Sequence, residues 1–552
     1  MKRLLGVIAL LSLMGCATLP TGLDVQTGPE LVAVNSQDFA YYSPAGPSSG
    51  ASQQEIVSGF LSAGTGPQND YAIAREFLST GFAQRWQPTA QTLIRNGAPT
   101  FRESGQSTQF VDISVGASLD EHGRYAENSP ANTEILRFQL IRENGEWRID
   151  SAPNLTVVTQ PVFSVVFNAF PVYFVDSRKS YLVPDLRWFP SRASTPTRLV
   201  NALLDGPSAW LAPAVTTAIP ADTRLTINAV TIEAGVAKVD FNSNALAAGT
   251  QDRAVMLSQL RSTLIQIPGI NEVALSVNDS LQEIPAARID NPSGFGPTFV
   301  LTRNGISRVA SPDRSTLSGT DQIVRNYTPK LFAISDDSRR IAFTNESGVF
   351  LLQRDGIAIS TEQVSEGNDI VALDFDVFGA LWIFPRDATA PLEVIPMRGS
   401  SRALESTLSG ERIFGAISPE GTRLVQATSQ PDSSSRIHLQ TVSRDTAMLP
   451  LKVNEGRDFQ TVIGNPISFS WHGPNAIRVL ERTLSGLSAL NEYPLTGPRR
   501  ALTMPPIIGV KVASGSTSIS SYLMSEDGEL WILTGNTWRA TSDSVWDFTS
   551  MR

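Results

Sequence analysis

Hydrophobic and polar positions change their spacing several times along this chain, and each change predicts a different kind of structure. A short apolar run from Leu4 to Met14 follows two basic residues and is shorter than the roughly 20 residues needed to span a membrane. The chain from 17 to about 50 is polar and rich in proline, glycine and serine, which is typical of a tether. Beyond it, apolar residues recur at helical and then at strand spacing, which predicts folded domains.

Between residues 52 and 160 the pattern predicts two helices followed by an antiparallel sheet. The stretch Ser52-Gln53-Gln54-Glu55 has the form of a capping box, and Asp70 is placed to cap a second helix that continues to Trp86. Alternating apolar residues then predict strands, the last two joined by the hairpin dipeptide Asn144-Gly145. This order resembles the NTF2-like α+β fold. The predicted strands are 110–119, 135–142 and 147–149.

Residues 161–290 predict an α/β domain in which strands and helices alternate. A helix is expected to begin at Thr195-Pro196, with proline in its first turn, and to stop at Gly206-Pro207. A second helix is expected near 252–266, followed by a strand at 273–277. The order of short motifs resembles the GerMN domain of spore-germination and envelope proteins. These motifs are LVPDLRW, ALLDGPS, AIPADTRL, AKVDFNS and TLIQIPGINEVALSVND.

Residues 291–552 lack helical periodicity and contain a recurring pattern of an apolar pair, a polar turn and an apolar strand. Placing the turns at Ser338, Gly379, Gly421, Pro474 and Gly528 gives steps of 41, 42, 53 and 54 residues. Such spacing is typical of β-propeller blades. We expect about six blades, closed by pairing of a last strand near 546–548 with the first blade, and keep an open β-sandwich as the alternative.

Composition narrows the range of functions. The chain has 552 residues, a net charge of -9 and a single cysteine. Its length predicts several domains, and one cysteine excludes an intrachain disulfide. An acidic chain without a basic stripe is not expected to bind nucleic acid, and the tether lacks a polybasic membrane patch. No motif for a metal, a nucleotide cofactor or a nucleophile–base pair is present, so no catalytic, cofactor-binding or metal-binding residue is assigned.

Several residues suggest chemistry, but a structural role is the preferred interpretation of each. Ser48 fits a G-x-S-x-G pattern without the strand that a nucleophile elbow requires. Asp205 and Asp240 could act as acids, and Asp374 and Asp376 could bind a cation. His122 is expected in solvent, and Trp471 and His472 form an aromatic pair. Trp382 and Trp531 are expected at equivalent strand positions.

The end of the first apolar run carries the strongest functional signal. Leu13-Met14-Gly15-Cys16 resembles a bacterial lipobox, in which the thiol of Cys16 is acylated and the chain is cut between Gly15 and Cys16. Met14 departs from the residues usual before that glycine. A free or buried thiol after an ordinary signal peptide is the alternative, and an unpaired thiol is a liability outside the cell. The chain is therefore divided into a signal peptide (1–15), a lipidated tether (16–51), and domains at 52–160, 161–290 and 291–552.

Taken together, the lipobox and the three predicted domains resemble the LpqB family of bacterial lipoproteins, including its N-terminal stretches ASQQEIVSGFL and DYAIAREFL. The resemblance implies a non-enzymatic protein with a lipid anchor such as palmitate on the outer face of the cell membrane. It also implies binding to the extracytoplasmic region of an MtrB-like sensor kinase and modulation of MtrA–MtrB control of the cell wall and division. The alternative is a glycan-binding protein or hydrolase of the cell envelope that uses the propeller face.

Replacing Cys16 with alanine tests the anchor. Because two or three acyl chains give durable membrane attachment at about 0.8 kcal/mol per buried CH2, we expect Cys16→Ala to release the protein from membranes. The measurement is sedimentation of membranes followed by detection of the protein in both fractions. Continued sedimentation of the altered protein with membranes would show that the anchor assignment is wrong.

Overall fold

The computed structural model describes residues 44–551, apart from residues 129–131, 286, 310–315, 357, 368, 407, 432–433 and 463–464. Gly15, Cys16 and most of the predicted tether lie outside the described residues. Residues 44–552 belong to one compact unit. We refer to 44–159 as the N-terminal domain, to 160–290 as the middle domain and to 291–551 as the propeller. Within the described residues, no helix is long and apolar enough to cross a membrane.

The N-terminal domain places three helices against a six-stranded sheet of order β5-β4-β2-β1-β6, with β3 paired to β2. The predicted capping box is confirmed, because Ser52 and Glu55 each accept a hydrogen bond from the other's backbone N–H. The predicted strands and the Asn144-Gly145 hairpin are also confirmed. The elements are α1 (Gln53–Ala63), α2 (Ala72–Arg75), α3 (Thr80–Ala83), β1 (Gln91–Ser104), β2 (Thr108–Asp120), β3 (Tyr125–Glu127), β4 (Thr133–Glu143), β5 (Glu146–Ser151) and β6 (Thr156–Thr159).

The long second helix expected from Asp70 to Trp86 is wrong. Two single turns, α2 and α3, replace it, and the backbone at Asp70 and Tyr71 has positive φ. Between the two turns, the chain pairs with β5 through a bridge between Leu78 and Ile149. Pairing with a sheet strand therefore overrides a helical pattern, a tertiary effect that periodicity does not report.

The middle domain contains two small sheets, of order β8-β7-β9 and β10-β11-β12-β13, against which two helices pack. The predicted helix starting at Thr195 is confirmed and ends at Gly206, whose φ of +94° suits glycine. The elements are α4 (Gln160–Val166), β7 (Phe167–Asp176), β8 (Leu182–Pro190), α5 (Thr195–Asp205), β9 (Val215–Thr216), β10 (Thr231–Glu233), β11 (Val236–Phe241), a 3-10 turn (Ser243–Ala247), α6 (Thr250–Leu264), β12 (Glu272–Val277) and β13 (Ser280–Leu281).

In the described part of the chain, the propeller has six sheets, which confirms the expected blade number. Five sheets have four consecutive strands, and the sixth combines β36 with β14 and β15. The elements are β14 (Thr298–Thr302), β15 (Gly305–Arg308), α7 (Thr320–Tyr327), β16 (Phe332–Ile334), β17 (Arg340–Asn345), β18 (Gly348–Asp355), β19 (Ala358–Ser365), β20 (Ile370–Phe375), β21 (Leu381–Pro385), β22 (Leu392–Ile395), β23 (Arg402–Leu404), β24 (Glu411–Ile417), β25 (Arg423–Ser429), β26 (Ser435–Arg444), β27 (Pro450–Val462), β28 (Asn465–His472), β29 (Ala476–Arg482), β30 (Ser488–Pro494), β31 (Arg500–Leu502), β32 (Gly509–Ser514), β33 (Ser520–Ser525), β34 (Glu529–Thr534), β35 (Thr537–Ser544) and β36 (Asp547–Ser550).

The ring closes as predicted. The last strand, β36, pairs antiparallel with β14 from Thr298–Ser550 to Leu301–Asp547. The inner strands of successive blades contact one another around the whole ring. Their order is β36, β16, β20, β24, β28 and β32, and β32 contacts β36. Closure gives every blade two neighbours, so no blade is left uncovered at an open end of the ring.

The repeat alignment was wrong in its last member. Ser338, Gly379, Gly421 and Pro474 lie in the turns between the first and second strands of their blades, but Gly528 lies between the second and third. The corresponding turn of the last blade spans 515–519. For the same reason, Trp382 (second strand, β21) and Trp531 (third strand, β34) are not equivalent. The pattern of an apolar pair, a turn and an apolar strand describes every hairpin of a blade, so it does not distinguish one hairpin from the next.

The tryptophan Trp188 joins all three domains. Its backbone N–H donates to Gly123 of the N-terminal domain at 2.8 Å, and its ring lies 5.0 Å from the ring of Phe163. Its indole N–H donates to the carbonyl of Thr496 in the propeller at 3.2 Å. Only 8% of the residue is exposed. One side chain therefore supplies apolar area and a buried hydrogen bond where the three domains meet.

Two buried ion pairs lie near the same junction. Arg187 binds Asp185 at 2.8 Å and also donates to the carbonyl of Gly206 at 3.0 Å. In the propeller, Arg423 binds Glu420 at 2.7 Å, and its guanidinium also approaches the middle domain. Because burying an unpaired charge is costly, both arginines depend on their partners.

Substitution of Trp188 tests this junction. Trp188→Phe retains a ring but leaves the buried carbonyl of Thr496 without its donor, so we expect a loss of about 1–3 kcal/mol. Trp188→Ala should lose about 3–5 kcal/mol because it also creates a cavity. The measurement is urea-induced unfolding of the full chain. Trp546→Phe is the matched control at a half-exposed tryptophan, and equal midpoints for Trp188→Phe and this control would contradict the role of the junction.

Candidate functional site

The inner strands of the six blades enclose a central channel with a cavity of about 280 Å³. The lining combines aromatic rings with hydroxyls and one lysine. Each inner strand is the edge of its sheet. The N–H groups on its unpaired side therefore need hydrogen-bond partners other than a neighbouring strand. The residues that line the channel include Phe332, Asp374, Phe414, Ser468, Phe469, Ser470, Trp471 and Lys511.

Side chains of one blade satisfy N–H groups of the next. Each acceptor is a carboxylate or a hydroxyl on an inner strand, and each donor lies on the inner strand of the adjacent blade. The pairs are Asp374 with the N–H of Ile417 (2.8 Å), Ser468 with Val512 (3.1 Å), Ser470 with Ser514 (3.1 Å) and Asp547 with Phe332 (3.2 Å). These polar residues therefore fasten blades together.

The two aspartates considered as cation ligands have structural partners. Asp374 fastens two blades, and buried Asp376 accepts from the indole N–H of Trp382 at 2.9 Å and from Arg444 at 2.7 Å. Among the described residues, no group of three or more histidine, cysteine, aspartate or glutamate side chains is arranged to hold a metal ion. The preferred structural interpretation of both aspartates is thus supported by their contacts.

One ion pair lies in the channel wall. Lys511 donates to Asp547, which is itself 3% exposed. Burial raises the pKa of the Asp547 carboxyl, and the Lys511 ammonium opposes that change. The pair joins β32 to the closing strand β36, so it supports closure of the ring.

The predicted aromatic pair is buried between blades. Trp471 is 4% exposed, donates its indole N–H to the carbonyl of Ala416 at 3.5 Å, and lies under the guanidinium of Arg423. The His472 ring contacts Ser514 at 3.0 Å and accepts from Arg478 at 3.0 Å. Both residues therefore hold neighbouring blades in place.

The middle domain covers one end of the propeller. Its contacts fall at turns that follow the first or third strands of blades, which lie on a single face. Tyr181 meets Phe378 with ring centroids 5.5 Å apart, and Gly294 of the connecting segment lies against Gly473. We call this the covered face. The opposite face carries the turns between second and third strands, and we call it the open face.

The open face exposes apolar side chains close to one another. Leu484 and Leu487 lie in the turn between β29 and β30, and the hydroxyl of Ser488 at the start of β30 accepts the N–H of Gly509, next to Ile508. Leu487 is 66% exposed and Trp546, before the closing strand, is 49% exposed. Contiguous exposed apolar groups mark interaction sites more often than scattered ones do. We call Leu484, Leu487 and Ile508 the apolar patch, and Trp546 lies on the same face, one blade further round the ring.

Among the described residues in the turns of the open face, acidic side chains outnumber basic ones. Three carboxylates form ion pairs, Glu346 with Lys330, Asp369 with Arg386 and Glu526 with Arg482. Arg303 lies in another of these turns. Further acidic residues at the same turns are Glu366, Asp387, Glu405, Glu411 and Asp527. The open face therefore suits a partner with basic and apolar groups.

The other residues singled out from the sequence lie away from this face. His122 lies 3.4 Å from Asp205, and Arg124 also binds Asp205, so His122 is at a domain seam rather than simply in solvent. Asp240 accepts from the N–H of Asp279 at 3.0 Å. Ser48 is exposed, without a base beside it among its described contacts.

Sequence reasoning missed the apolar patch. Its signal was present in Leu484-Ser485-Gly486-Leu487, a turn with two leucines where polar residues are usual. The pattern does not say whether such leucines pack against another domain or face solvent. That distinction required the arrangement of blades.

The fold and the open face define a multidomain β-propeller scaffold, in which one face is covered and one is exposed. Three family models match the chain, described as the N-terminal domain of lipoprotein LpqB (residues 46–164), sporulation and spore germination (171–283) and the β-propeller domain of lipoprotein LpqB (308–547). The chain belongs to the LpqB lipoprotein family and contains a GerMN domain.

Relatives support this assignment. Lipoprotein LpqB of Cutibacterium acnes is 29% identical over 54% of this chain and 53% of that protein. The protein of the same name from Thermobifida fusca is 28% identical over 67% of this chain and 64% of that one. That of Bifidobacterium longum is 24% identical over 92% of this chain and 89% of that one. The chain thus spans about half the length of the first relative and most of the third.

The pH dependence of stability tests the environment of His472. Burial lowers the pKa of His472 to about 3 from 6.5, helped by Arg478 and Arg500, while Glu492 lies 3.6 Å away. The unfolded histidine binds a proton that the folded one does not, so its contribution to stability falls as pH drops through 6.5. We expect His472 to account for about 2 kcal/mol of the loss between about pH 7 and pH 5.

The measurement compares urea unfolding of the unaltered protein and His472→Gln at both pH values. The variant removes the titrating group, so its stability should fall less on acidification. An equal loss in the two proteins would contradict a neutral, buried His472.

Proposed function

We propose that this protein is a lipid-anchored lipoprotein of the outer face of the cell membrane that works by binding rather than by catalysis. Its partner is the extracytoplasmic region of a membrane sensor kinase of the MtrB type, and binding modulates MtrA–MtrB control of cell-wall homeostasis and division. Family membership supports the lipoprotein class. The observation that carries the binding function is the open face, where the apolar patch lies among acidic turns.

Because the middle domain occupies the covered face, we assign partner binding to the open face. The middle domain and the segment at Gly294 lie against the turns of the covered face, and Trp188 fixes this arrangement through Thr496. A large partner therefore has access to the open face, where the apolar patch supplies area and the carboxylates supply orientation. Interfaces commonly combine a central apolar cluster with a charged rim.

The anchor supplies the second part of the proposal. Acylation of Cys16 and a tether of 16–51 would hold the protein near membrane receptors. Confinement of this kind raises the effective concentration of the two partners, so a contact of modest affinity is sufficient. An acidic face would also accelerate association with a basic surface.

A second candidate is binding of a cell-envelope glycan in the channel. The observation that favours it is the cavity of about 280 Å³, with Phe332, Phe414 and Phe469 beside Ser468 and Lys511. Apolar walls with a few polar groups are typical of small-ligand sites. Titration of the purified protein with soluble cell-wall fragments separates the two candidates, because saturable binding or turnover would favour this one.

Substitutions in the apolar patch test the primary proposal. Replacing Leu484 and Leu487 with serine removes apolar area from the open face, so we expect affinity for the sensor region to fall at least about tenfold. The measurement is binding of the purified sensor region to the full-length protein in nanodiscs. Leu281→Ser is the matched control, since Leu281 of the middle domain is 65% exposed and Leu487 is 66% exposed.

The control variant should bind as the unaltered protein does. Unchanged affinity in the double variant, or an equal loss in Leu281→Ser, would contradict docking through the open face. Because both leucines are exposed, the double variant should retain the unfolding midpoint of the unaltered protein, which excludes loss of folding as the cause.

A further inference from the structure

Two arginines lie near each other at the seam between the N-terminal domain and the middle domain, close enough for their charges to repel. Arg192 follows β8, and Arg198 lies in the second turn of α5. The guanidinium of Arg192 lies 5.4 Å from the ring centroid of Tyr71, and that of Arg198 lies 4.5 Å from the ring centroid of Phe189. Tyr71 is 3% exposed, so the pair lies beside a dry aromatic surface.

The contacts of these arginines are to neutral groups. Arg192 donates to the carbonyl of Pro67 at 3.3 Å, and its buried Nε atom has no hydrogen-bond partner. Arg198 donates to the carbonyl of Glu121 at 3.2 Å. Among the described residues, neither guanidinium forms an ion pair with a carboxylate within 4.0 Å. The fully buried Arg412 of the propeller also contacts only neutral groups, so what distinguishes Arg192 and Arg198 is their proximity, which makes their charges repel.

The nearest acidic side chains already bind other groups. Asp70 binds Arg75 at 2.5 Å. Asp120 binds Arg124 at 3.2 Å and accepts the backbone N–H of His122 at 2.9 Å. Neither aspartate can move to the arginines without breaking these contacts. Asp120 attracts Arg198 without contacting it, so no described carboxylate contacts either guanidinium directly.

Helix α5 adds to this potential. Its N-terminus, which carries a partial positive charge, lies between Arg192 and Arg198 in the sequence. The first turn contains no acidic residue, and the side chain of the N-cap residue Ser194 forms no capping hydrogen bond. Burial, together with the charge of Arg192, lowers the pKa of Arg198 to about 10. An anion at this position would relieve the repulsion and supply the missing hydrogen-bond acceptor.

We propose that Arg192 and Arg198 form a binding site for a phosphate monoester at this domain seam. Two guanidinium charges balance a phosphate that carries between one and two negative charges near neutral pH. Arginine forms paired hydrogen bonds with phosphate oxygens, and binding would turn the Nε–H of Arg192, which is buried and without a partner, toward one of them. The site lies away from the open face, so it is independent of the proposed function.

The test is calorimetric titration of the full-length protein in detergent micelles with inorganic phosphate at constant ionic strength. We expect saturable binding by the unaltered protein. Arg192→Gln and Arg198→Gln should each weaken it at least about tenfold, in keeping with the loss of a charged hydrogen bond. Arg398→Gln, which removes the same charge from an exposed turn of the propeller, should leave binding unchanged.

Three results would overturn the proposal. The first is a heat of dilution without saturation in the unaltered protein. The second is equal binding by the seam variants and Arg398→Gln. The third is equal affinity for acetate, which would remove the preference for a doubly charged ligand. Comparing the affinities for glycerol phosphate and inorganic phosphate shows whether the site prefers a phosphate ester or free phosphate. Tighter binding of either one supports the site.

A measurement on the unaltered protein guards against variants that fail to fold. Crystals soaked in tungstate should show an anomalous peak in contact with both guanidinium groups, because tungstate has the shape and charge of phosphate. Absence of a peak at the seam would overturn the proposal. Arg198→Lys, which keeps the charge but not the planar donor group, should bind phosphate with intermediate affinity.

Discussion

Closure of the ring is the constraint on which this structure depends. The last strand of the chain pairs with β14, which lies about 250 residues earlier, so every blade acquires two neighbours only when the whole propeller has been made. The inner strands remain sheet edges, and their N–H groups are satisfied by side chains such as Asp374 and Asp547 from adjacent blades. Residues that resemble a binding site in sequence are thereby used to hold the ring together.

A closed ring has two faces, and the rest of the chain distinguishes them. The middle domain contacts turns of one face, and Trp188 joins that domain to Thr496 of the propeller and to Gly123 of the N-terminal domain. Arg187 and Arg423 are buried near this junction with carboxylate partners, so moving the domains apart would expose or unpair buried charges. The three domains therefore act as one body with one face left open, which is an arrangement suited to holding a partner.

Electrostatics divides the molecule into regions with different roles. Buried arginines at the covered face have carboxylate partners within 3 Å, whereas acidic side chains gather around the open face. Arg192 and Arg198 are partly buried and contact only neutral oxygens, as the fully buried Arg412 also does in part. What sets the two apart is that they lie near each other, so that their charges repel.

The sequence by itself determined the order and type of the domains. Strict local signals identified the capping box at Ser52, the Asn144-Gly145 hairpin, the helix starting at Thr195 and the strand that closes the ring. Each of these depends on neighbouring residues, since caps and tight turns are made by side chains a few positions apart. The lipobox prediction at Cys16 likewise depends on adjacent residues alone.

Tertiary structure decided which predicted element is replaced, how blade positions correspond and which side chains are exposed. Pairing with β5 replaced the helix expected after Asp70, and blade register assigned Gly528 and Trp531 to positions that a repeat pattern does not distinguish. Whether Leu484 faces solvent, and whether Arg192 finds a carboxylate, depends on residues hundreds of positions away. Local spacing fixes which elements form, but burial and charge pairing are properties of contacts between distant parts of the chain, and only the assembled domains establish them.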